Sequence, residues 1–233
     1  MIEKRINALK WNEIEDNIER LGFSSIPALL TPVECAELVR RYPVEEDYRS
    51  VINMKRYRFG EGEYKYYSAP LPSIITALRE SFYPYLARIA NSWMERLKQS
   101  NQYPDSLPEF LSLCHATEQN KPTPLILKYE QGGFNCLHQD LYGEIYFPFQ
   151  VLILLSEETS FEGGEFMMVE QIPRVQSRGH VISLSQGEGV IFPTQFRPVL
   201  GQRGYYRTNL KHGVSTLTSG IRYSLGIIFR DAK

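Results

Sequence analysis

Residues 125–140 read LILKYEQGGFNCLHQD, and this stretch says most about the fold. An apolar run ends at Tyr129, a Gly-Gly turn follows, and a second run ends in a His-Gln-Asp triplet. Alternate residues of a β-strand point to the same face. On a strand, His138 and Asp140 therefore direct one imidazole and one carboxylate into the same space. For the bare triplet, a surface or hydrogen-bonded His–Asp pair is the simpler interpretation.

A metal site of this kind needs a third ligand, and the chain offers four histidines. Two histidines and one carboxylate on one face of an octahedral metal suit Fe(II), with positions left open for a chelating co-substrate and dioxygen. The donor types alone also permit zinc. We predict His212, because Arg222 follows it by ten residues on another apolar run. His180 remains the alternative, although the residue ten positions beyond it is Val190, which cannot bind an anion.

Arg222 and Ser224 are two residues apart in the predicted last strand, residues 221–229, and therefore share a face. A guanidinium binds a carboxylate with two hydrogen bonds, and a neighbouring hydroxyl can add a third. An exposed arginine on an edge strand is the alternative, but the apolar neighbours of Arg222 favour a half-buried, paired side chain. We predict that this pair binds the carboxylate of an anionic co-substrate.

The same residues resemble the Fe(II)/2-oxoglutarate-dependent oxygenase superfamily, and within it the prolyl-hydroxylase-like branch. The chain is also similar to an uncharacterised bacterial family of these oxygenases that carries the same His-Gln-Asp-Leu-Tyr-Gly segment. The resemblance covers about residues 121–231, and with the bacterial family it extends upstream to residues 62–66. The segments that carry it are residues 127–133, 138–140, 161–166, 212–214 and 222–225.

The resemblance implies a mainly β fold with flanking helices (α+β), in which N-terminal helices pack on one sheet of a double-stranded β-helix (jelly-roll) core. It implies Fe(II) as the metal, 2-oxoglutarate and O2 as co-substrates, and no catalytic residue beyond the metal ligands. Asp140 and His212 are 72 residues apart, which is long for a compact prolyl hydroxylase, so the strand count between them stays open. The implied site residues are His138, Asp140 and His212 around the metal, and Arg222, Ser224 and Tyr129 around 2-oxoglutarate.

The organisation of the chain follows from its hydrophobic patterning. We expect a single domain over residues 1–233, with a mainly helical part at residues 1–120 and a jelly-roll catalytic core at residues 121–231. In the helical part, Pro84 should break or kink the helix around it. The nearly continuous apolar run at residues 149–155 predicts a strand that is buried on both faces.

The composition excludes several classes of protein. The chain is 42% hydrophobic and carries a net charge of −1, which gives no overall bias toward nucleic acid or a membrane. Its three cysteines lack metal-like spacing and are typical of reduced thiols. No apolar signal segment or membrane-length run is visible, so we expect a cytoplasmic protein without membrane contact. The pattern leaves the oligomeric state open.

Residues 55–67 interleave basic and aromatic side chains, a composition that binds phosphates and stacks on bases, or grips a peptide over an active site. We expect this segment to lie beside the iron pocket as a loop or hairpin. The alternative is a polar hairpin whose tyrosines pack against the helices. The candidate substrate-contacting residues are Arg58, Tyr64, Lys65 and Tyr66.

A charge imbalance marks the C-terminal half, where residues 171–230 hold eight basic residues and a single acid, Glu188. Part of this positive charge would serve the dianion 2-oxoglutarate. The remainder would pair with acids of the N-terminal half or face an anionic substrate. Pairing is the simpler explanation, and we predict it first.

Three functions fit the pattern. We predict first a dioxygenase that hydroxylates a C–H bond of a peptidyl or amino-acid substrate and releases succinate and CO2. An oxidative demethylase of DNA or RNA bases ranks second, because the segment from Arg222 to Arg230 and the aromatic and basic residues 55–67 also resemble alkylation-repair oxygenases. A catalytically silent, cupin-like binding protein ranks third, because every metal position holds a ligand-type residue.

Overall fold

The computed structural model describes residues 1–233, and it contains five α-helices and fourteen β-strands. The helices are α1 (Ile2–Asn7), α2 (Trp11–Leu21), α3 (Pro32–Arg40), α4 (Ser73–Arg96) and α5 (Leu107–Ala116). The strands are β1 (Ser24–Ile26), β2 (Tyr48–Asn53), β3 (Gly60–Glu61), β4 (Glu63–Tyr67), β5 (Leu125–Glu130), β6 (Phe134–His138), β7 (Phe149–Leu154), β8 (Phe161–Gly163), β9 (Phe166–Gln171), β10 (Arg178–Ile182), β11 (Gly189–Pro193), β12 (Phe196–Gly201), β13 (Gly204–Val214) and β14 (Leu217–Ile228).

Two antiparallel sheets pack on each other as a jelly-roll, which confirms the predicted fold class. The larger sheet has eight strands in the order β1-β11-β7-β14-β5-β4-β2, with β8 paired to β14. The smaller sheet has six strands in the order β10-β9-β13-β6-β3, with β12 paired to β13. Strands β1 to β4 belong to residues 1–120, so the part predicted to be mainly helical also extends both sheets.

Two apolar layers stabilise this arrangement. One layer of 13 buried residues, which includes Tyr129, Phe166 and Phe192, lies between the two sheets. A second layer of 38 buried residues lies where the helices cover the outer face of the larger sheet. Strand β7 contributes to both layers, and all residues of Phe149–Leu154 are buried, as predicted for a strand covered on both faces. Burying each large apolar side chain contributes about 1.5–3 kcal/mol.

Helix α4 is continuous through Pro84, so the predicted break is absent. Proline lacks the backbone N–H that would bond the carbonyl four residues earlier, which belongs to Glu80. Both residues are exposed, so water can satisfy that carbonyl. The buried face of α4 packs against the larger sheet and keeps the helix in place. There the ring centroid of Trp93 lies 4.6 Å from that of Phe149 on β7. No helix of the protein combines the length and the apolar character needed to cross a membrane.

A buried arginine anchors the segment that follows β14. Arg79 of α4 donates to the carbonyls of Phe229 and Arg230 at 2.6 and 2.8 Å, and to the carboxylate of Asp231 at 2.7 Å. The second oxygen of that carboxylate lies 3.0 Å from His115 Nε2. The network fixes the C-terminal segment against α4 and α5, and it directs the Asp231 carboxylate toward these helices.

Candidate active site

Three potential metal ligands meet on the smaller sheet. Strands β6 and β13 are neighbours, and their register places His138 directly opposite His212. Asp140 follows β6, and its carboxylate reaches both rings, with Oδ1 3.5 Å from His138 Nε2 and Oδ2 3.3 Å from His212 Nε2. The ligand atoms of the three residues all lie within 4.8 Å of one another. Three donors at this spacing can bind one metal ion.

The two imidazoles of this site are held differently. His138 Nδ1 donates to the carbonyl of Cys136 at 2.7 Å, which leaves the lone pair of Nε2 free on the side of Asp140. The ring of His212 is buried, with its centroid 4.8 Å from that of Phe192, and its Nδ1 has no hydrogen-bond partner. Burial lowers the pKa of His138, and His212 lowers it further. His138 is therefore neutral at neutral pH, as a metal ligand must be.

The carboxylate of Asp140 is ionised and oriented by its neighbours. Burial by itself would raise its pKa, but hydrogen bonding and charge from His212, together with His138 and Gln150, hold that pKa well below its usual range. Gln150 of β7 donates from Nε2 to Asp140 Oδ2 at 2.9 Å. The backbone N–H of Asp140 donates to the carbonyl of Thr194 at 3.1 Å. An ionised carboxylate beside a neutral imidazole is the state that binds a divalent metal.

The middle residue of the triplet has a structural role that the sequence did not reveal. Gln139 Nε2 donates to the carbonyls of Gln195 and Leu210 at 2.9 and 3.0 Å. Leu210 belongs to β13, the strand that carries His212. Gln139 therefore ties the two ligand-bearing segments together and limits the freedom of the ligands to move apart.

Replacing Gln150 with leucine tests how the carboxylate is oriented. The substitution keeps the size of the side chain but removes the donor to Asp140, and loss of such a partner weakens metal binding by about 10–100-fold. We expect a loss in that range for Mn(II) or Fe(II), measured by anaerobic titration. Gln186→Leu is the matched control, since Gln186 donates to the Leu155 carbonyl outside the site. Equal metal affinity of Q150L and the wild-type protein would contradict this role.

His180 lies away from His138, Asp140 and His212. This contradicts the prediction that kept His180 as the alternative third ligand. Met168 of β9 pairs with His180 of β10 on one side and with His212 of β13 on the other. Neighbouring strands are about 4.8 Å apart, so the two histidines lie roughly 10 Å from each other along the sheet. His180 instead packs on Phe23, with ring centroids 5.2 Å apart.

Arg222, Ser224 and Tyr129 form a buried polar group on the larger sheet. Arg222 of β14 pairs with Tyr129 of β5, and all three residues are at most 2% exposed. Arg222 Nη1 lies 3.3 Å from Ser224 Oγ and the guanidinium has no carboxylate partner, while the Tyr129 hydroxyl has no hydrogen-bond partner. Burial lowers the pKa of Arg222 and raises the pKa of Tyr129 to about 12. Because a buried cation without a counter-ion is unfavourable, this group is suited to an anionic ligand.

The glycine pair within residues 161–166 makes room for this arginine. Gly164 has a φ of +67°, and a Cβ atom at this position would lie 3.0 Å from Arg222 Cδ and 2.8 Å from Leu217 Cδ1. A larger residue would therefore be strained in its backbone and would press on the guanidinium stem. The Phe-Glu-Gly-Gly-Glu-Phe segment, on which part of the resemblance rests, thus supports the Arg222 group.

A cavity of about 460 Å³ opens beside the metal ligands. Its wall includes all three ligands and Tyr129, whereas Arg222 and Ser224 are buried behind the wall. Most of the other lining residues are apolar or aromatic, and they come from both sheets. The site therefore combines a metal-binding corner with a chamber large enough for an organic substrate.

The segment at residues 55–67 lies at this cavity, as the hairpin hypothesis predicted. Tyr64 and Tyr66 line the cavity, and so do Tyr57 and Phe59. The rings of Tyr57 and Phe59 are stacked, with centroids 5.8 Å apart and an interplanar angle of 18°. Both rings are well exposed, so they form an aromatic platform at the cavity mouth.

Two of the predicted substrate residues lie elsewhere. Lys65 is on the opposite face of β4 from Tyr64 and Tyr66, where its ammonium donates to the Tyr42 carbonyl at 3.0 Å and lies 4.3 Å from the Tyr42 ring centroid. Alternation along the strand explains this separation. Arg58 occupies an exposed left-handed turn with φ 61° and does not line the cavity. Neither Arg58 nor Lys65 therefore lines the cavity in which the predicted substrate residues Tyr64 and Tyr66 lie.

Other cavity residues were missed from the sequence. Arg49 of β2, Tyr142 and Arg230 all line the cavity. No local pattern links Arg49 with Arg230, because they come from opposite ends of the chain and meet only through the order of the larger sheet. Tyr142 could have been found, since it follows Asp140 by two residues in the His-Gln-Asp-Leu-Tyr-Gly segment.

The predicted pairing of the basic C-terminal half with N-terminal acids is wrong. Of the eight basic residues at positions 171–230, Arg197 has a carboxylate partner, Glu170 at 2.8 Å, and that acid lies outside the N-terminal half. Acids of the N-terminal half instead pair with arginines of the same half, as in Arg5–Glu34 and Arg41–Asp47. The positive charge of the C-terminal half therefore remains available to anionic ligands.

Comparison with known proteins identifies the class to which this fold and site belong. A family model described as "Oxygenase, catalysing oxidative methylation of damaged DNA" matches residues 62–232. The match spans most of the chain, and the chain belongs to this family of oxygenases. It is also similar to uncharacterised proteins from two strains of Mycobacterium tuberculosis, with 46% identity over 194 residues, which is 83% of this chain and 82% of each relative.

Solved structures share the fold at low sequence identity. A Pseudomonas putida prolyl-4-hydroxylase matches with a TM-score of 0.53 and 15% identity, over 95% of this chain and 100% of that one. A Trichoplax adhaerens prolyl hydroxylase, solved with a peptide fragment of hypoxia inducible factor, matches with a TM-score of 0.55 and 13% identity, over 99% of this chain and 92% of that one. A Burkholderia pseudomallei oxidoreductase of the 2OG-Fe(II) oxygenase family matches with a TM-score of 0.53 and 14% identity, over 94% of this chain and 89% of that one.

The protein is thus an oxygenase, and it shares the fold of a 2OG-Fe(II) oxygenase. This confirms that the chain is an oxygenase with the predicted fold, while the requirement for Fe(II), 2-oxoglutarate and O2 stays a prediction. The third hypothesis, a catalytically silent binding protein, is wrong, because the chain belongs to a family of oxygenases.

Proposed function

We propose that this oxygenase removes N-linked methyl groups from damaged bases of DNA. The observation that carries the proposal is the cavity with aromatic walls beside the three metal ligands, in a family described as acting on damaged DNA. Oxidation of an N–CH3 group to N–CH2OH is followed by loss of formaldehyde, which restores the N–H of the base.

His138, Asp140 and His212 would hold the iron. The fit rests on their donor types, on the ionised carboxylate and neutral His138, and on the separation of their ligand atoms by no more than 4.8 Å. Fe(II) with 2-oxoglutarate activates O2, and the reaction yields succinate and CO2 and places one oxygen atom on the substrate. Gln150 and the Cys136 carbonyl orient the ligands for this role.

Arg222, Ser224 and Tyr129 would hold 2-oxoglutarate. The guanidinium is buried without a carboxylate, and the tyrosine hydroxyl is buried without any partner. An incoming dianion would satisfy both groups, because a guanidinium and two hydroxyls together offer more donors than one carboxylate needs. The apolar residues around the group would exclude water and strengthen the ion pair.

The aromatic part of the cavity would receive the base. Tyr64 and Tyr66 line the wall, with ring centroids 5.4 Å apart in an edge-to-face arrangement, and Tyr142 contributes a third ring. A base inside a duplex cannot reach a buried metal, so an enzyme of this kind acts on a single strand or turns the base out of the stack. Aromatic rings compensate for the lost stacking, at about 1–3 kcal/mol for each base.

This order reverses the two substrates predicted from the sequence. Motif layout placed hydroxylation of a peptidyl or amino-acid substrate first and a nucleobase second. The Pseudomonas putida and Trichoplax adhaerens prolyl hydroxylases are only 15% and 13% identical to this chain, so their likeness concerns the fold alone. Peptidyl hydroxylation stays a prediction that the same assay addresses.

The proposal is tested by mass spectrometry of reaction products. The protein is incubated with Fe(II), 2-oxoglutarate and O2, together with a single-stranded oligonucleotide that carries N-methylated adenine or cytosine. We expect loss of the methyl group, and formation of formaldehyde and succinate in equal amounts. The unmethylated oligonucleotide and a proline-containing peptide library are the comparison substrates. A methylated strand that stays intact, or hydroxylation of peptides instead, would contradict the proposal.

A further inference from the structure

Two arginines face the cavity from the larger sheet. Arg230 follows β14 and Arg49 belongs to β2, and both line the cavity. Arg230 is 7% exposed, and its guanidinium makes a single long hydrogen bond of 3.5 Å, to the carbonyl of Asp231, and lies 5.8 Å from the ring centroid of Tyr142. It has no carboxylate partner. A side chain with five N–H donors is thus nearly buried at the cavity wall with most of its donors unused.

Arg49 adds a second guanidinium to the same wall. Its Nε donates to the carbonyl of Pro122 at 2.8 Å, and its Cζ lies 4.5 Å from the ring centroid of Tyr66. No carboxylate pairs with it either. Burial lowers the pKa of Arg49, Tyr66 and Asp231 raise it, and Arg230 lowers it. Two guanidinium groups at one cavity wall, neither of them in an ion pair, make a site for an anion.

Asp231, the acid next to Arg230 in the sequence, is hydrogen-bonded to other residues. The carboxylate of Asp231 is engaged by Arg79 at 2.7 Å and by His115 at 3.0 Å. Gln119 donates to the carbonyl of Asp231 at 2.9 Å. The segment that carries Arg230 is therefore fixed from three sides while the charge of Arg230 stays uncompensated. A charged side chain that is held in place without an ion-pair partner is typical of a preorganised binding site.

The hydroxyl of Tyr66 is influenced by charges of both the anion site and the metal site. Burial raises the pKa of Tyr66, the charge of Asp140 raises it further, and Arg230 and Arg49 oppose the rise. The hydroxyl of Tyr66 is thus within electrostatic range of the metal ligand and of both arginines. Tyr66, both arginines and the three candidate metal ligands line the same cavity, so one ligand can contact all of them.

We infer that Arg230 and Arg49 bind a backbone phosphodiester of the substrate strand, adjacent to the base that enters the aromatic cavity. The inference rests on the proposed function and names the part of the substrate that this wall recognises. Guanidinium groups bind phosphate oxygens with paired hydrogen bonds. The stacked Tyr57–Phe59 platform at the mouth is suited to a neighbouring base. A peptide carboxylate could use the cations but would leave this platform without a partner of matching shape.

Binding measurements with charged and neutral backbones test the inference. The protein, loaded with Fe(II) and 2-oxoglutarate without O2, is titrated into a labelled single-stranded DNA pentamer and into its uncharged methylphosphonate analogue. We expect Arg230→Gln and Arg49→Gln each to weaken binding of the phosphodiester strand by about tenfold and to reduce the slope of its salt dependence by about one. Binding of the methylphosphonate strand should be the same in all variants.

Matched variants separate this effect from loss of charge or of fold. Arg203→Gln removes the same charge from an exposed turn between β12 and β13 and should leave binding unchanged. Arg230→Lys should keep part of the affinity, since it retains a point charge but loses the paired donors. If Arg230→Gln fails to fold, the more exposed Arg49→Gln provides the same comparison.

Failure of the inference is distinguishable from failure of the proposed function. Unchanged affinity in both glutamine variants, or an equal loss in Arg203→Gln, overturns the phosphate site even if methylated DNA is a substrate. Competition by an aspartate-rich peptide, with no binding of the DNA strand, overturns it in favour of a peptide carboxylate. Arginine-dependent binding of the phosphodiester strand supports it even if the methyl groups are not removed.

Discussion

Asp140→Ala is expected to abolish 2-oxoglutarate turnover while the fold remains intact. The substitution removes the one carboxylate among the three proposed metal ligands and leaves two imidazoles, which bind a divalent metal weakly on their own. Loss of an outer-shell partner alone costs about 10–100-fold, so we expect loss of the ligand itself to exceed that range. Succinate formation at saturating Fe(II) is the measurement.

The fold should tolerate this change for structural reasons. Asp140 is fixed through its backbone N–H, which donates to the Thr194 carbonyl at 3.1 Å, and Gln139 still ties β13 to this segment. Asp105→Ala is the matched control, because it removes an exposed carboxylate in the loop before α5. Full turnover in D140A, with a circular dichroism spectrum like that of the wild-type protein, would rule out the metal site.

Alternation along strands made most of the metal site predictable. A His-x-Asp pair on a strand places two side chains on one face. Strand β6 ends at His138 and Asp140 lies just beyond it, but the Asp140 carboxylate still reaches both histidine rings. The choice of His212 over His180 depended on Arg222 at a fixed distance, and the register of β13 against β6 agrees with that choice. The local spacing was informative because the strand geometry that it assumes is nearly invariant.

The same rule could have prevented one error. Composition drew attention to residues 55–67, but composition does not assign side chains to faces. Tyr64 and Tyr66 share one face of β4, so Lys65 between them had to point to the other. Its ammonium therefore packs on Tyr42 instead of facing substrate.

The anion site could not be predicted for a different reason. Arg49 and Arg230 become neighbours of one cavity because β2 and β14 belong to the same sheet, with β4 and β5 between them. Sheet order over such a sequence separation depends on tertiary packing, which no local pattern encodes. Whether Arg230 is neutralised depends in turn on Asp231, and Arg79 of a distant helix decides that contact.

Arg222→Met is expected to raise the 2-oxoglutarate requirement by at least tenfold while the metal still binds. The guanidinium is 2% exposed and without a carboxylate partner, so the distal carboxylate of 2-oxoglutarate would lose its charged partner in the variant. Breaking such a buried pair costs about 2–5 kcal/mol, and each 1.4 kcal/mol corresponds to about a factor of ten. The KM for 2-oxoglutarate at saturating Fe(II) is the measurement, with Arg203→Met, an exposed arginine in the turn before β13, as the matched control.

Stability gives a second, independent readout. Saturating 2-oxoglutarate at about 100 times its Kd stabilises the wild-type protein by about 2.7 kcal/mol, and this gain should be absent in R222M at the same concentration. Without 2-oxoglutarate the variant should be at least as stable as the wild-type protein, because it no longer buries an unpaired cation. An unchanged KM together with an unchanged ligand-induced shift in Tm would assign the co-substrate to another cation of the C-terminal half, either Arg230 or Arg207.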